Sequence, residues 1–432
     1  MLPLTRFVQL PRFAREAERS VTCPDGFVAA GVATGVKKRG KLDLGILRSL
    51  RPAVSAATFT TNAAAAAPVR LTRETSACDR LQAIVVNAGN ANACTGKDGL
   101  GDAARMRLLA AQRLRLPVEL VAVASTGVIG VPLDMGKIEP GIAAAAAAVK
   151  PGGGEHFSQA IRTTDSSPKR GALALRLAEG TVRLGAAAKG CGMISPRMAT
   201  MLCFVTCDAA VSVEDWRHLL LAAVGKSFNR ITVDGQESTN DMVVGMANGA
   251  SGVRLGETGL RQLGEALDAL LLSLAVAMVA DGEGATKAVR LTVDGARDPD
   301  EAERVARAVA GSPLVKTAFF GRDANWGRIV QAVGQALGGP DARGVPDATP
   351  ALARRAGTPA AAVPDVFYED LAVVQGGRPV PLSESAQERL ADIMAQHEID
   401  VRVAVNGGPS DATVYFSDLT HDYITLNAEY TT

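Results

Sequence analysis

Residues 189–207 read KGCGMISPRMATMLCFVTC. The part before Thr200 is rich in turn formers: Gly190, Gly192, Ser195 and Pro196. The part after it, Met201 to Cys207, is an apolar run that suits an internal strand. Thr200 therefore stands at a loop-to-strand edge, and the fold outside it must supply both the strand's neighbours and a reason for so sharply turned a loop.

Outward from this point, helical and strand patterns alternate, which predicts a mixed α/β protein. Asp102–Arg113 has an amphipathic helical period, and Leu120–Ala124 reads as a buried strand running into a turn over Ser125–Gly130. Ile142–Lys150 is an alanine-rich helix stopped by PGGG. Val213–Val224 is another, with Ser212 as N-cap and Trp216 as a core residue. Gly259–Ala280 is apolar nearly all round its later turns and reads as a central buried helix. Beyond Asp281–Lys287 come a strand at Ala288–Val293, a helix at Pro299–Ala310 and a turn-rich stretch at Gly321–Arg328. Residues 338–365 hold five prolines and little periodicity, and read as an exposed insertion. Strands at Val401–Val405 and Thr413–Phe416 precede a polar end, NAEYTT. No repeat recurs at a fixed period.

The 432 residues, 47% of them hydrophobic, can bury a large core. Forty-six basic against 45 acidic side chains leave no net field for nucleic acid or an anionic membrane, which points to small molecules or proteins as partners. The six cysteines form no CxxC pair and read as reduced thiols, favouring the cytoplasm. With four histidines and no HExxH, neither a histidine-ligated metal nor a histidine-based triad is expected. The N-terminus has no apolar core of the kind a secretory signal needs, and the block Leu270–Ala280 is shorter than the roughly 20 residues that cross a bilayer.

A threonine hydroxyl is a poor nucleophile without a nearby base, and one solution is the threonine's own α-amine, freed when the preceding peptide bond is cut. Such an amine has a reference pKa of about 7.7–8.0, suited to taking a proton near neutrality. The cut would proceed by attack of the Thr200 hydroxyl on the Ala199 carbonyl, an N-to-O acyl shift and ester hydrolysis. Taken alone, an Ala-Thr pair at a strand edge more often means an ordinary loop with a β-branched residue after it.

The wider sequence weighs against that plain reading. KGCGMISPRMATMLCFVTCDA resembles the self-cleavage motif of the ornithine acetyltransferase family, also called glutamate N-acetyltransferases. The resemblance continues in GFVAAGVATGVKKRGKLDLGIL, NAGNANACTG, STGVIG, TTDSSPK, SFNRITVDGQESTNDMV, DGEGATK, NWGRIVQAVG and YITLNAEYTT, in that order along the chain. It implies an α-β-β-α sandwich and a cut between Ala199 and Thr200. The products would be chains 1–199 and 200–432, held together as an α2β2 assembly. Thr200 would be the nucleophile, with Thr126 and Gly127 at the oxyanion hole and Thr163, Lys189, Thr200, Glu283, Asn427 and Thr432 meeting the substrate. The implied reaction moves an acetyl group from N2-acetylornithine to glutamate without a bound cofactor, acetyl-CoA being a second donor in some members.

Lys189 suits a carboxylate, Glu283 an ammonium, and Asn427 either kind of partner. Thr164 would suit the same motif as Thr163. Asn90, Asn92, Thr95, Asp234, Thr239, Asn240 and Asp241 could line the site or bond their own turns. The chain departs from the family pattern at Ala88, Cys191, Arg197 and Gln236-Glu237. Two other enzyme readings stay open: an acetyltransferase of a specialised amino-acid pathway, and an amidohydrolase or aminopeptidase with the same nucleophile. A binding protein would remain uncut.

Overall fold

The computed structural model describes residues 2–3, 5–18, 20–195, 201–338 and 364–429. Ala199, Thr200 and Thr432 lie outside the described residues, as do Arg197 and nearly all of the 338–365 insertion. The chain forms two compact units that part between Glu283 and Gly284.

In the first unit, one sheet runs in the order Ala14–Glu16, Lys169–Leu177, Gly180–Lys189, Leu202–Cys207, Met242–Ala247, Val54–Phe59. A second runs Phe27–Val32, Leu44–Ser49, Ala83–Asn90, Val121–Val128. Because side chains alternate across a strand, one register sends neighbouring residues to different cores. Ile84, Val86, Ala122 and Ala124 join Leu202, Phe204, Met242 and Val244 in a core shared by both sheets. Ala83, Val85, Val121 and Val123 point the other way, onto Leu71, Met106, Leu114, Ile138 and Ile142 of the helices Ala67–Thr75, Gly96–Leu114 and Met135–Ala148. The outer face of the first sheet is covered by Val213–Lys226 and Glu257–Ala280: a Cβ on Gly245 would lie 3.0 Å from both Trp216 and Leu220, and one on Gly171 would lie 3.1 Å from Leu270. Helices, sheet, sheet, helices: the unit is the expected α-β-β-α sandwich.

Glu257–Ala280 is long and apolar enough to cross a membrane, but 67% of its apolar window is buried within the protein, as a core helix requires. Ser212 caps Val213–Lys226 by accepting a hydrogen bond from the Asp215 N–H, and Trp216 is fully buried.

The second unit is a single sheet with helices on one face. Val289, Leu291, Val293, Ile399, Val401, Val403, Val414 and Phe416 pack on Val305, Phe319, Ile329, Val333 and Ile393 of the helices. The opposite face is polar, with Arg290 Nη2 donating to Asp400 Oδ2 at 2.8 Å and Arg402 Nη1 to Asp294 Oδ2 at 3.0 Å. The helix Pro299–Ala310 has the predicted bounds and takes its N-cap from Asp298, whose side chain accepts from the Glu301 N–H.

Three local expectations change. The strand expected to end at Ala124 continues through Ser125, Thr126 and Gly127 to Val128, paired with Ala88 and Gly89, with an irregular register only at Asn90. The helix expected from Asp102 starts at Gly96. Gly99 is required there, since a Cβ on it would sit 1.8 Å from Thr95 Oγ1, and Asn92 Nδ2 donates to its carbonyl at 2.8 Å. At the other end of the chain, the polar terminus is helical over His421–Glu429 and Asp365 already belongs to a strand.

Candidate active site

Both ends of the 196–200 segment are anchored. Ahead of it, Asp234 accepts hydrogen bonds from the N–H groups of Met193 at 2.6 Å and Ile194 at 2.9 Å, while the Ile194 carbonyl accepts from the Val233 N–H and the Thr232 hydroxyl. Behind it, the Met201 N–H donates to Asp241 Oδ1 at 2.8 Å and the Met201 carbonyl accepts from the Met242 N–H. Leu202–Cys207 is wholly buried and pairs antiparallel with Gly180–Lys189 on one side and parallel with Met242–Ala247 on the other.

That pairing sets Lys189 opposite Leu202, at the strand end nearest Thr200 in sequence. Lys189 is 3% exposed, and its Nζ donates to Thr126 Oγ1 at 3.1 Å. Thr126 comes from the other sheet, so this bond spans the sandwich. A threonine oxygen that accepts from an ammonium keeps its own proton free to donate. Beside it, Gly127 has φ of +136° and lies so close to the neighbouring strand that a Cβ would stand 2.3 Å from the Gly89 carbonyl carbon. The two residues that the resemblance assigned to the oxyanion hole thus sit together at an irregular strand end, one fixed by Lys189 and the other by steric exclusion of any side chain.

A buried charge network supports Lys189. Asp165 Oδ1 accepts from Lys169 Nζ at 2.6 Å and from the Gly190 N–H at 2.7 Å, and its Oδ2 accepts from the Thr163 N–H at 3.0 Å. Lys169 also pairs with Asp281. Burial alone would push the Asp165 carboxyl up, but the charges of Lys169 and Lys189 and the bonds from Lys169 and the Gly190 N–H hold it well below the ordinary carboxylate range. Lys37 is pushed down to about 8 by burial and by the charges of Arg162 and Lys189, which outweigh Asp43 and Asp165. Lys37, Arg162, Lys169 and Lys189 thus share one neighbourhood with the carboxylates of Asp43, Asp165 and Asp281.

Glu283 lies over the glycine loop: its N–H donates to the Cys191 carbonyl at 2.9 Å, and a Cβ on Gly192 would meet Oε2 at 2.6 Å. Thr164 Oγ1, not Thr163, donates to Glu283 Oε1 at 2.8 Å, with Cys191 Sγ 3.0 Å away, while Thr163 contributes its backbone to Asp165. Burial pushes the Cys191 thiol up to about 12, which leaves it without thiolate character.

Thr126, Gly127, Thr163, Lys189 and Glu283 all belong to the first unit. Asn427 belongs to the second, where its Nδ2 donates to the Tyr423 carbonyl within its own helix. Several of the polar loop residues are structural. Asn90 Nδ2 donates to the carbonyls of Val131 and Pro132, and Asn240 Nδ2 to those of Ala91 and Ser125. Sequence reasoning gave Asp165, Lys37 and Arg162 no role. Their only signal was charge beside glycine, serine and threonine in RTTDSSPK (162–169) and GVKKRGK (35–41), which reads equally as a solvated loop.

Comparison with known proteins places the chain in a family. The model of the ArgJ family matches residues 28–432. The arginine biosynthesis bifunctional protein ArgJ of Symbiobacterium thermophilum is 45% identical over 417 residues, which cover 95% of this chain and 98% of the relative. That of Geobacter sulfurreducens is 44% identical over 410 residues, covering 94% and 99%. A crystal structure of the Mycobacterium tuberculosis ornithine acetyltransferase with ornithine aligns at 39% identity over 42% of this chain and 98% of its own, with a TM-score of 0.39. Similarity that runs almost end to end establishes that the chain belongs to the ArgJ family.

Proposed function

We propose that the chain is a self-processing glutamate N-acetyltransferase of arginine biosynthesis, moving acetyl from N2-acetylornithine to glutamate with Thr200 as nucleophile. The observation that carries the reading is the buried Lys189–Thr126 pair beside Gly127, at the end of the strand that adjoins Leu202.

In the first half-reaction the Thr200 hydroxyl attacks the acetyl carbonyl, and its proton passes to the α-amine of the same residue. The oxyanion is met by the Thr126 hydroxyl and the Gly127 N–H, donors that can each lower the barrier by about 3–4 kcal/mol. Collapse breaks the amide bond, the departing ornithine nitrogen takes the proton back from the α-ammonium, and acetyl remains as an ester on Thr200. The glutamate amine then attacks that ester by the same steps in reverse. Lys189 suits a substrate carboxylate and Glu283 suits an ammonium, matching the opposite ends of the two amino acids.

Such a cut would fall inside the first unit, not between units. Chain 200–432 would then supply two strands to a sheet whose other members belong to chain 1–199, with Leu202–Cys207 hydrogen-bonded to Gly180–Lys189 and Met242–Ala247 to Val54–Phe59. Shared sheet and shared core are reasons for the pieces to stay associated, and two such pairs would make the α2β2 assembly. Acetyl-CoA, as a second donor, would enter as a substrate and needs no permanent site. The cytoplasm is the compartment this reading and its unpaired cysteines imply.

The test is incubation of the purified protein with N2-acetylornithine, with and without glutamate. The proposal expects ornithine and N-acetylglutamate in equal amounts, depending on glutamate. Acetate released equally well without glutamate would favour an amidohydrolase instead.

A further inference from the structure

Asp241 has no exposed surface and stands at the entry to the strand Met242–Ala247. Its backbone carbonyl accepts from the Thr60 N–H at 3.0 Å, and its Oδ1 accepts from the Met201 N–H at 2.8 Å. Its Oδ2 is buried with no hydrogen-bond partner among the described residues. A buried polar atom left unpaired would cost about 1–3 kcal/mol, so what pairs with Oδ2 is a question the strand entry poses.

The register says what lies next to that atom. Leu202 pairs with Met242 and also with Lys189, so Asp241 and Met201 stand side by side one step beyond, at the strand ends that deliver Lys189. Thr200 is outside the described residues, but its carbonyl carbon is joined to the Met201 nitrogen by a bond of about 1.33 Å. The atom that Asp241 grips is therefore the amide nitrogen of Thr200's own peptide bond to Met201.

We propose that Asp241 is a positioning residue for the nucleophile, fixing Thr200 through the Met201 amide with one carboxyl oxygen and offering the other as a second hydrogen-bonding atom. The inference rests on the acetyl-transfer reading above. Burial pushes the carboxyl well above its usual range, against the bond from Met201 and the charge of Lys189. Asparagine keeps an oxygen that accepts from the Met201 N–H and a second hydrogen-bonding atom beside it, whereas leucine fills the volume and presents neither.

The experiment compares full-length parent, Asp241→Asn and Asp241→Leu by steady-state acetyl transfer, with melting curves to establish folding and Asp241→Ala as a second apolar variant. Asp241→Asn is expected to keep kcat within about threefold, while Asp241→Leu or Asp241→Ala loses about 30-fold or more in kcat with KM for acetylornithine within about twofold. That split marks misplacement of the attacking group, not loss of substrate contacts. The proposal is overturned if a folded apolar variant matches the parent. It is equally overturned if folded Asp241→Asn fails as badly as Asp241→Leu, or if neither apolar variant folds, which makes the residue purely structural. A parent that transfers no acetyl group defeats the earlier reading; a parent that transfers while Asp241→Leu equals it defeats this inference alone.

Discussion

Replacing Lys189 with methionine is expected to lower kcat/KM for N2-acetylornithine by about 100-fold while leaving the protein folded and able to cut itself. Two losses add up. The substrate loses a buried ammonium suited to its carboxylate, and Thr126 loses the donor that turns its hydroxyl proton outward. A hydrogen bond to a charged group contributes about 1.5–3 kcal/mol, and 1.4 kcal/mol is a factor of ten. Folding should survive because Asp165 keeps Lys169 and the Gly190 N–H, so no carboxylate is left buried without a partner. Steady-state kinetics with intact-mass analysis checks this: parent-like kcat/KM in the variant would remove Lys189 from the site.

Replacing Gly127 with alanine is expected to cost about 4 kcal/mol or more, at the extreme of single substitutions. The methyl group would have to occupy space 2.3 Å from the Gly89 carbonyl carbon and 2.5 Å from the Asn90 nitrogen, both backbone atoms of the adjacent strand. No side-chain rotation relieves such a clash, so the two strands must part at their ends. A φ of +136° adds strain that an L-residue rarely bears. Gly130→Ala separates the two effects, since Gly130 has φ of +81° but nothing within 4 Å of the new methyl group. It should cost only about 1–2 kcal/mol. Denaturant melts of the two variants measure the difference, and equal stability would mean that the strands do not approach as described.

These residues show what the sequence could and could not reveal. The strand Leu202–Cys207 was legible because every residue in it suits a buried environment, and the helix starting at Val213 because Ser212 before it is a strong N-cap, a helix start signal. Thr126 and Gly127 looked like a turn, since serine, threonine and glycine in a row are turn formers. Their strand conformation is imposed by pairing with Ala88 and Gly89, which lie far away in sequence. Asp165 was passed over for a related reason: its value comes from Lys169, Gly190 and Thr163 converging on one carboxylate, and only the fold brings Gly190 there. The division after Glu283 carried no linker signature at all, because DGEGATK reads as a loop like many others. Function was more legible than architecture, since the resemblance rests on ordered blocks of sequence and needs no knowledge of which strand meets which.

The account stands on one amino acid providing both the attacking hydroxyl and the amine that receives its proton. The most direct measurement is the intact mass of the purified full-length protein beside its Thr200→Ala variant. Two polypeptides, separated between Ala199 and Thr200, are predicted for the parent and one for the variant. Acetyl-transferring parent protein found as one unbroken polypeptide would contradict the account.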